Sequence, residues 1–202
     1  MQQNNNGPLD AHYWNNRWEQ GTSGWDIGYA SPAIVAYMQQ YPDKHAAILI
    51  PGCGNAYEAQ ALLDMGFTNI TLIDIAPHAV EQLKSRYSNE PNITILHQDF
   101  FTLDQQFDLV IEQTFFCALD PVLRPDYVIK MHALLLPGGK IIGLLFDTEF
   151  EKAGPPFGGF QSEYEALFAP YFILHTMDRC TNSIAPRAGT ELFINLQKKI
   201  PA

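Results

Sequence analysis

The sequence predicts an α/β fold in which helices cover both faces of a mostly parallel sheet. Short apolar runs of strand length alternate with helical segments over most of the 202 residues. This alternation is typical of parallel strands joined by crossover helices. Near the end of the chain two strand-like runs follow each other without an intervening helix, so we expect them to pair antiparallel. No internal repeat interrupts the pattern.

The composition limits the class of protein. A chain of 202 residues can form one domain with a large core, and 47% hydrophobic with 17% charged residues is typical of a globular protein. The formal net charge of −10 argues against a nucleic-acid partner, because contact with a phosphate backbone requires a basic surface. The longest apolar run, 141–146, is too short to span a membrane, so no membrane partner is expected.

The N-terminus and the cysteines indicate the compartment. Residues 1–9 are polar and rich in Asn and Gln, which predicts a disordered leader before a single domain over 10–202. This leader lacks the basic and apolar regions of a signal peptide. The three cysteines are widely spaced and odd in number, which argues against a disulfide framework. We therefore expect a cytoplasmic protein.

Start and stop signals delimit the elements in chain order. Asp10 is expected to cap a first helix, and Ser31 with Pro32 begins a second helix with a capping hydroxyl and a proline in its first turn. Proline also begins the helices at Pro77 and Pro125. The remaining assignments are strands at 46–50, 69–75, 92–97, 107–112, 140–146, 172–179 and 190–198, helices at 56–65 and 162–168, and a turn at 136–139.

Three loops that follow successive strands carry residues suited to a ligand. Ligands of open α/β sheets bind at the carboxyl ends of the strands. Gly52 and Gly54 follow the first strand and let a ligand approach the backbone, although a tight turn alone would also require glycine. Asp74 ends the second strand, where it can accept hydrogen bonds from ribose hydroxyls or cap the next helix. Asp99 ends the third strand, where it can accept from an adenine amino group beside Phe100 or form a turn.

The helix after the glycine turn favours S-adenosylmethionine over a nicotinamide dinucleotide. The dinucleotide motif G-x-G-x-x-G requires glycine at the position of Tyr57, and Glu58 would face a pyrophosphate in the first helical turn. S-adenosylmethionine carries no phosphate, and its sulfonium cation favours aromatic neighbours. Trp14 and Trp18 share a helix face, and Trp25 follows shortly after them. The three rings either form a lid over the cofactor or attach a helix to the sheet edge.

The motifs in this order resemble those of a known group of enzymes. The motifs begin with Tyr13, Trp14 and Trp18, followed by GTSGWD. Further along the chain come the segments ILIPGCGNAYE, LIDI, QDFF and FDLVIEQTFFCALDPVLRP. With the Gly-Pro-Pro at 154–156 and the Ile-x-x-Arg-x-Gly motif at 184–189, they resemble the thiopurine methyltransferase-like group of class I methyltransferases, in particular its thiol/halide methyltransferase branch. The resemblance extends over nearly the whole chain. It implies a Rossmann-like, doubly wound seven-stranded sheet with an antiparallel last strand, and S-adenosyl-L-methionine as cofactor.

The resemblance also implies which residues contact the cofactor. With the glycine turn, the set comprises Trp14, Trp18, Trp25, Gly52, Gly54, Asp74, Asp99, Phe100 and Gln113. The chain departs from the branch at Gln113, where Tyr is frequent, at 56–58, where Gly-His-Asp is frequent, and at 23–24, where Thr-Pro is frequent. These departures bear on the methyl acceptor more than on the cofactor.

A small soft nucleophile, namely a thiol, hydrosulfide or halide, is the expected methyl acceptor. Such an acceptor needs no strong base, and the enzyme mainly positions donor and acceptor and excludes water. The chain offers few base candidates, because four of its histidines fall in predicted helices or strands: His78, His97, His132 and His175. Cys53 and Cys117 have no histidine partner nearby in sequence, so neither is expected to act as a nucleophile. No catalytic residue is assigned.

The acceptor pocket is expected between the ends of the fourth and fifth strands. Its predicted walls are Phe115, Phe116, Cys117, Phe146 and Asp147, with the segment 154–160 as a lid. Arg187 is the candidate positive group for an anionic acceptor, with loop anchoring as the equal alternative.

Other functions stay open on the sequence alone. A thiopurine-type or other small-molecule methyltransferase would share the cofactor. An NAD-dependent oxidoreductase would use the same strand–glycine–helix–aspartate arrangement, and a non-catalytic protein could bind S-adenosylmethionine as a sensor. No metal site is expected, and the chain is expected to be a monomer or a weak homo-oligomer.

Overall fold

The computed structural model describes residues 8–22 and 24–200, so most of the predicted leader and Ser23 lie outside the described residues. Over the described part, seven strands form one sheet. They are β1 Ile48–Pro51, β2 Ile70–Asp74, β3 Ile93–His97, β4 Phe107–Gln113, β5 Leu135–Phe146, β6 Phe172–Arg179 and β7 Glu191–Lys198. Their order across the sheet is β3-β2-β1-β4-β5-β7-β6.

The pairing confirms the predicted fold class. β1, β2, β3, β4 and β5 pair in parallel, whereas β7 runs antiparallel to both β5 and β6. The chain builds outward from β1 to β3 in one direction and then from β4 in the other. The carboxyl ends of β1 and β4 therefore flank the point where strand order reverses, which is where open sheets bind ligands.

Helices cover both faces of the sheet. They are α1 Ala11–Glu19, α2 Pro32–Gln39, α3 Tyr57–Asp64, α4 Pro77–Arg86, α5 Arg124–Leu134 and α6 Gln161–Phe168. Side chains of α2, α3 and α4 pack with β1 and β2 in one core cluster, and those of α5 and α6 pack with β4 to β7 in another. Every residue of β1 and β2 is buried, as expected for strands covered on both faces.

Local signals account for most element ends. The Asp10 carboxylate accepts a hydrogen bond from the Tyr13 backbone N–H at 3.0 Å and caps α1. Prolines occupy the first turns of α2, α4 and α5, where the missing N–H costs no helical hydrogen bond. The predicted starts of these helices are confirmed.

Two local predictions are wrong. The Ser31 side chain makes no capping hydrogen bond; instead its backbone N–H donates to the buried Glu58 carboxylate at 2.9 Å. Residues 136–139 are not a free turn before the fifth strand, because β5 begins at Leu135 and continues through Gly138 at φ +81. An irregular register with β4 between Phe107 and Leu109 accommodates this bend within the sheet.

Candidate cofactor and acceptor site

A cavity of about 940 Å³ lies at the predicted edge of the sheet, beside the carboxyl ends of β1, β2 and β4. Its walls come from three sources: the turns that follow the strands, the N-terminal segment with α1, and loops that follow β5 and β6. Most of its lining surface is apolar. A second hollow of about 470 Å³ lies beside it, between Asp120 and the loop 149–160.

The turn after β1 depends on its glycines. Gly52 and Gly54 adopt the left-handed conformation, with φ of +54 and +50. A Cβ atom on Gly52 would lie 2.3 Å from the ring of Phe115, and one on Gly54 would lie 3.1 Å from the ring of Trp18. Glycine is therefore required here both for the backbone and for the approach of two aromatic rings.

Asp74 connects this turn to the end of β2. One oxygen of its buried carboxylate accepts from the Gly54 N–H at 2.9 Å, and the other accepts from the Ala76 N–H at 2.9 Å. Burial raises the pKa of Asp74, and the backbone N–H donors oppose that rise. The carboxylate also lines the cavity. The Asp74 carboxylate thus holds the residue before α4 without a side-chain cap on the helix itself, and its contact with ribose stays a prediction.

Asp99 and Phe100 lie on the same wall as Asp74. The Asp99 carboxylate accepts from the Phe101 N–H at 2.9 Å and caps the short 3₁₀ turn Phe100–Thr102. The Phe100 ring is almost fully buried, with its centroid 5.1 Å from that of Phe115 and 5.7 Å from that of Tyr127. Both residues line the cavity, so the turn role of Asp99 leaves it available to a ligand.

The three tryptophans meet at the cavity, as the sequence predicted. The Trp25 ring contacts Trp14 and Trp18 edge to face, at centroid distances of 5.7 and 5.8 Å. The α1 helix that carries Trp14 and Trp18 is held on α4, because the Asn15 side chain accepts from the His78 backbone N–H at 2.9 Å. The rings therefore do both things that the sequence left open: they attach α1 and they line the cavity.

Contacts from two sides fix the segment that carries Trp25. The Arg187 guanidinium donates to the Trp25 carbonyl at 2.9 Å, forms an ion pair with Glu191 at 3.4 Å and lies 5.4 Å from the Phe146 ring centroid. On the other side, the Asp26 carboxylate accepts from the Asn55 side chain at 2.6 Å. The loop-anchoring role of Arg187 is thus present; the residue also lines the cavity, and its contact with an anionic acceptor stays a prediction.

The acceptor end of the cavity differs in part from the prediction. Phe115, Cys117, Phe146, Pro155 and Pro156 line it, together with Leu119 and Phe150, which the sequence analysis did not single out. Elsewhere on the cavity wall, three lining residues were not expected from the sequence: Arg17, Thr114 and Phe101.

Several predicted wall residues point elsewhere. Phe116 is 1% exposed and packs in the core on Tyr127, Tyr164 and Phe168 rather than in the cavity. The Asp147 carboxylate accepts from the Gln161 N–H and pairs with Arg179, both outside the cavity.

The lid prediction and the Gln113 prediction also need correction. Only Pro155 and Pro156 of the segment 154–160 reach the cavity, because Gly159 is held by a bridge to Thr148 and Phe160 is exposed on the far side. Gln113 does not line the cavity, and its amide oxygen is buried without a hydrogen-bond partner in the described part of the chain. Successive side chains of β4 point to opposite faces of the sheet. Gln113 is the last residue of this strand, and Thr114, at a φ of +60, turns the chain after it.

A buried carboxylate holds that turn. Glu112 is fully buried; one of its oxygens accepts from the Phe115 and Phe116 N–H groups at 2.8 and 2.9 Å, and the other accepts from the Tyr127 hydroxyl at 2.5 Å. Burial raises its pKa to about 7, against three hydrogen bonds that lower it. The sequence contained the acid at the end of the strand, but only the fold shows that it points into the core.

The cysteines and histidines carry no reactive arrangement in the described residues. Burial raises the pKa of the Cys53 thiol well above its ordinary value and that of the Cys117 thiol to about 12, so neither supplies a thiolate at neutral pH. None of the four histidines singled out from the sequence lines the cavity. Over the same residues, no group of three or more His, Cys, Asp or Glu is arranged to hold a metal ion.

The orientation of the Glu58 side chain differs from the prediction. It was expected to face the ligand from the first turn of α3, but its carboxylate is buried and bonded to the Ser31 N–H. Burial raises its pKa. Glu58 therefore does not oppose a pyrophosphate at this turn. Tyr57 still does, because it occupies the first helical position, where the dinucleotide motif requires glycine.

Solved methyltransferases share this fold. The chain is similar to the 1,6-didemethyltoxoflavin-N1-methyltransferase of Burkholderia thailandensis, solved with S-adenosylhomocysteine, at a TM-score of 0.75 and 18% identity over 99% of this chain and 94% of that one. It is also similar to a TehB-like SAM-dependent methyltransferase from Corynebacterium glutamicum, at a TM-score of 0.65 and 17% identity over 94% of this chain and 98% of that one.

The sequence comparisons agree with the fold and the site, which define an S-adenosylmethionine-dependent methyltransferase. The chain belongs to the thiopurine S-methyltransferase family, whose model matches residues 9–195. It is 34% identical to a probable thiol methyltransferase 2 of Arabidopsis thaliana and 32% identical to thiocyanate methyltransferase 1 of Brassica oleracea, covering 88% of this chain and 81% of each relative. A thiopurine S-methyltransferase of Vibrio vulnificus is 28% identical over 79% of this chain and 82% of its own length. This membership decides against the nicotinamide-dependent alternative.

Proposed function

We propose that this methyltransferase transfers the methyl group of S-adenosylmethionine to a small soft nucleophile: a thiol, hydrosulfide or halide. The observation that carries the proposal is the acceptor end of the cavity. Its walls are mainly aromatic and aliphatic side chains, with the threonines Thr148 and Thr190, the Asp120 carboxylate that accepts from the Val122 N–H, and one guanidinium, that of Arg187. No histidine of the described residues lines it. A soft anion fits such walls, because it needs a positive group for binding and no base for attack.

The residues at the other end fit the cofactor. Gly52 and Gly54 line this end, and their lack of side chains lets the Phe115 and Trp18 rings lie against the turn beside the cavity. We propose that Asp74 accepts hydrogen bonds from the ribose hydroxyls, and that Asp99 with Phe100 recognises the adenine. We propose Gln113 only as a support for the turn after β4, because it lies outside the cavity wall.

The three tryptophans complete this end as an aromatic lid. Their rings exclude water and present π faces to a cation, which matches the sulfonium that activates the methyl group when the cofactor is bound. We propose that α1 and the Trp25 segment belong to one domain over 10–202, because Asn15 joins α1 to α4 and Arg187 joins Trp25 to the C-terminal region.

The chain's own part in transfer is positioning. The Phe115 and Phe146 rings and the Cys117 side chain border the space where the acceptor meets the cofactor. Arg187 is held by Glu191 and by the Trp25 carbonyl, so its guanidinium is fixed beside the Phe146 ring before an anion arrives. Fixing both reactants replaces an encounter in water by a reaction within one complex.

The proposal is tested with a panel of acceptors. Purified protein and S-adenosylmethionine are incubated with hydrosulfide, a simple thiol, iodide and thiocyanate, and with catechol and a primary amine as hard acceptors. We expect methylation of the soft acceptors only. Transfer to catechol or the amine alone would reject the proposal.

A variant of Arg187 tests the anion site. Arg187→Met should raise the KM for iodide roughly 10-fold, the effect of one lost charge-assisted contact. Arg179→Met is the matched control, since Arg179 pairs with Asp147 away from the cavity. An unchanged KM for iodide would leave Arg187 with its anchoring role alone, and S-adenosylhomocysteine affinity reports whether the Trp25 segment has moved.

A thiopurine-type acceptor is the second candidate. It is favoured by the apolar surface of Leu119, Phe150 and Pro156 at the acceptor end. A thiopurine is added to the same panel, and the ratio of kcat/KM values separates the two. A non-catalytic S-adenosylmethionine sensor would bind S-adenosylhomocysteine and methylate none of the panel.

We also propose a reducing, cytoplasmic location, supported by the three unpaired cysteines. No helix in the described part of the chain is both long and apolar enough to cross a membrane.

A further inference from the structure

Arg17 is a charged residue of the cavity wall that the acceptor chemistry does not use. It lies on α1 between Trp14 and Trp18 and lines the same cavity. Its guanidinium carbon is 5.3 Å from the Trp25 ring centroid and 5.9 Å from that of Tyr13. Stacking on two aromatic rings limits the orientations of the guanidinium, so its N–H donors keep a fixed direction.

The Arg17 guanidinium has no anionic partner among the described residues. Its Nε atom is buried without a hydrogen-bond partner, and the ion pairs of the described residues belong to Arg179 and Arg187. A buried donor without a partner is costly, so its site calls for an acceptor that the chain itself does not provide.

The carboxylates of the same cavity are already engaged with backbone N–H groups. Each accepts at least one such bond at 2.9 to 3.0 Å: Asp10 from Tyr13, Asp74 from Gly54 and Ala76, Asp99 from Phe101, and Asp120 from Val122. Arg187 differs from Arg17, because it already pairs with Glu191 and donates to the Trp25 carbonyl. Arg17 is therefore the cavity arginine whose charge lacks a partner in the described part of the chain.

The location of Arg17 indicates which anion it meets. The neighbouring Trp18 ring lies against Gly54, at 3.1 Å from the position of a Cβ atom there. This places the Arg17 turn of α1 beside the glycine turn that follows β1. With the adenine proposed at Asp99 and Phe100 and the ribose at Asp74, the part of S-adenosylmethionine left for the glycine turn is the methionine part, which carries a carboxylate.

We propose that Arg17 binds the carboxylate of the methionine part of the cofactor. The inference rests on the proposed function, because it assumes S-adenosylmethionine in this cavity. A guanidinium held over the Trp25 ring, 5.3 Å from its centroid, presents paired N–H donors that match the two oxygens of a carboxylate. Arg17 thereby couples the lid to the cofactor: the group that contacts the carboxylate also stacks on the central tryptophan of the lid.

The test compares two ligands that differ in the amino-acid part. S-adenosylhomocysteine has the carboxylate, whereas 5′-deoxy-5′-methylthioadenosine keeps the adenosine and the thioether and lacks it. Both are titrated by calorimetry into the wild-type protein, Arg17→Met and Arg17→Lys. Met retains an apolar stem on Trp25, and Lys retains the charge without the paired donors.

We expect Arg17→Met to weaken S-adenosylhomocysteine binding roughly 10- to 100-fold, the range for a lost hydrogen bond to a charged group, and to leave methylthioadenosine binding within about 2-fold. The S-adenosylhomocysteine affinity of Arg17→Lys should lie between those of the wild-type protein and Arg17→Met. Arg179→Met, a surface variant, serves as the control with unchanged binding of both ligands. Equal melting temperatures of the apo proteins show that the fold is intact.

Three results separate the inference from the proposed function. Failure of the wild-type protein to bind S-adenosylhomocysteine rejects the function itself. Equal weakening of both ligands by Arg17→Met shows that Arg17 supports the lid structurally and overturns the inference. Unchanged S-adenosylhomocysteine binding with a raised KM for iodide assigns the Arg17 charge to the acceptor and likewise overturns it.

Discussion

The two ends of the cavity are built by different means. At the cofactor end, a glycine turn follows β1, and the ends of β2 and β3 present carboxylates that backbone N–H groups of the same or a neighbouring turn hold in place, as Gly54 and Ala76 hold Asp74. At the acceptor end, side chains from distant parts of the chain meet, as when Arg187 reaches the Trp25 carbonyl across 162 positions. The geometry of the cofactor end is determined by the sheet, and the geometry of the acceptor end is determined by the loops that cover the sheet.

This difference teaches where substitutions are tolerated. Backbone turns at strand ends leave little freedom, because a left-handed conformation and a close approach fix the residue type. Loop side chains that line an apolar wall can change size and still exclude water, so acceptor preference can vary on a constant cofactor site.

The largest expected effect is at Asp74. Asp74→Ala should weaken S-adenosylhomocysteine binding by about 100-fold or more, because it removes the proposed ribose contact and the acceptor of the Gly54 N–H together. Asp74→Asn, which retains a hydrogen-bond acceptor, should lose less affinity for S-adenosylhomocysteine. Calorimetric titration measures both. Binding of Asp74→Ala within about 3-fold of wild type would contradict the fixed-turn view of the cofactor end.

A pair of glycine variants sharpens that view. Gly52→Ala and Gly66→Ala both place a side chain at positive φ, +54 and +84, but only the Cβ at position 52 meets another group, the Phe115 ring at 2.3 Å. We expect the free energy of unfolding to fall by about 1 kcal/mol in Gly66→Ala from backbone strain alone, and by about 2–4 kcal/mol in Gly52→Ala. Denaturant titrations give the difference, and equal losses would show that the Phe115 contact is unimportant.

The turn between the two ends should respond to pH through Glu112. Its pKa is raised from 4.5 to about 7, so the folded state binds the proton more tightly than the unfolded state does. The stability that this protonation contributes is complete below about pH 4.5 and is lost as the pH rises through about 7. The Tyr127 hydroxyl and the Phe115 and Phe116 N–H groups donate to this carboxylate, and its charge helps to raise the pKa of the Cys117 thiol.

The matched variant is Glu112→Gln, which cannot titrate. The unfolding free energy of this variant relative to wild type should rise by about 3 kcal/mol between about pH 4.5 and 8, the energy equivalent of the raised pKa. Urea titrations at both pH values measure the change. A difference that stays constant with pH would show that the Glu112 carboxyl does not titrate in this window.

The smallest effect is expected at Asp147, which the sequence assigned to the acceptor wall. Its ion pair with Arg179 lies outside the cavity, and the Arg179 side chain is 54% exposed. Asp147→Asn should leave the KM for iodide unchanged and lower stability by less than about 1 kcal/mol, as is usual for a surface pair. Steady-state kinetics decide the point, since a clear rise in KM would return Asp147 to the acceptor wall.

The cofactor end was largely predictable because its determinants are local. Glycines after a buried strand, and acids at the ends of the next two strands, mark turns whatever lies around them, and parallel pairing brings those turns to one edge. Gly52, Gly54, Asp74 and Asp99 accordingly line one cavity.

The acceptor end was less predictable because its side chains are sorted by packing. Phe115 and Phe116 are adjacent, yet the first lines the cavity and the second lies in the core on Tyr164. Only the turn at Thr114, held by the Glu112 carboxylate, decides between them. Arg17 was missed for a related reason: a guanidinium on a helix is ordinarily exposed, and only the position of Trp25 places it at a cavity.

The sequence by itself determined the alternation of helices and strands, the antiparallel end of the sheet, the glycine turn and the acids at the strand ends, because hydrophobic periodicity and backbone preference act over a few neighbouring residues. The tertiary structure alone decided which of two adjacent aromatics faces the cavity, that Glu58 and Glu112 point inward, and that Arg17 lies at the cavity with no anionic partner among the described residues. Those outcomes depend on contacts between residues far apart in the chain, where the space left by one element fixes the orientation of another.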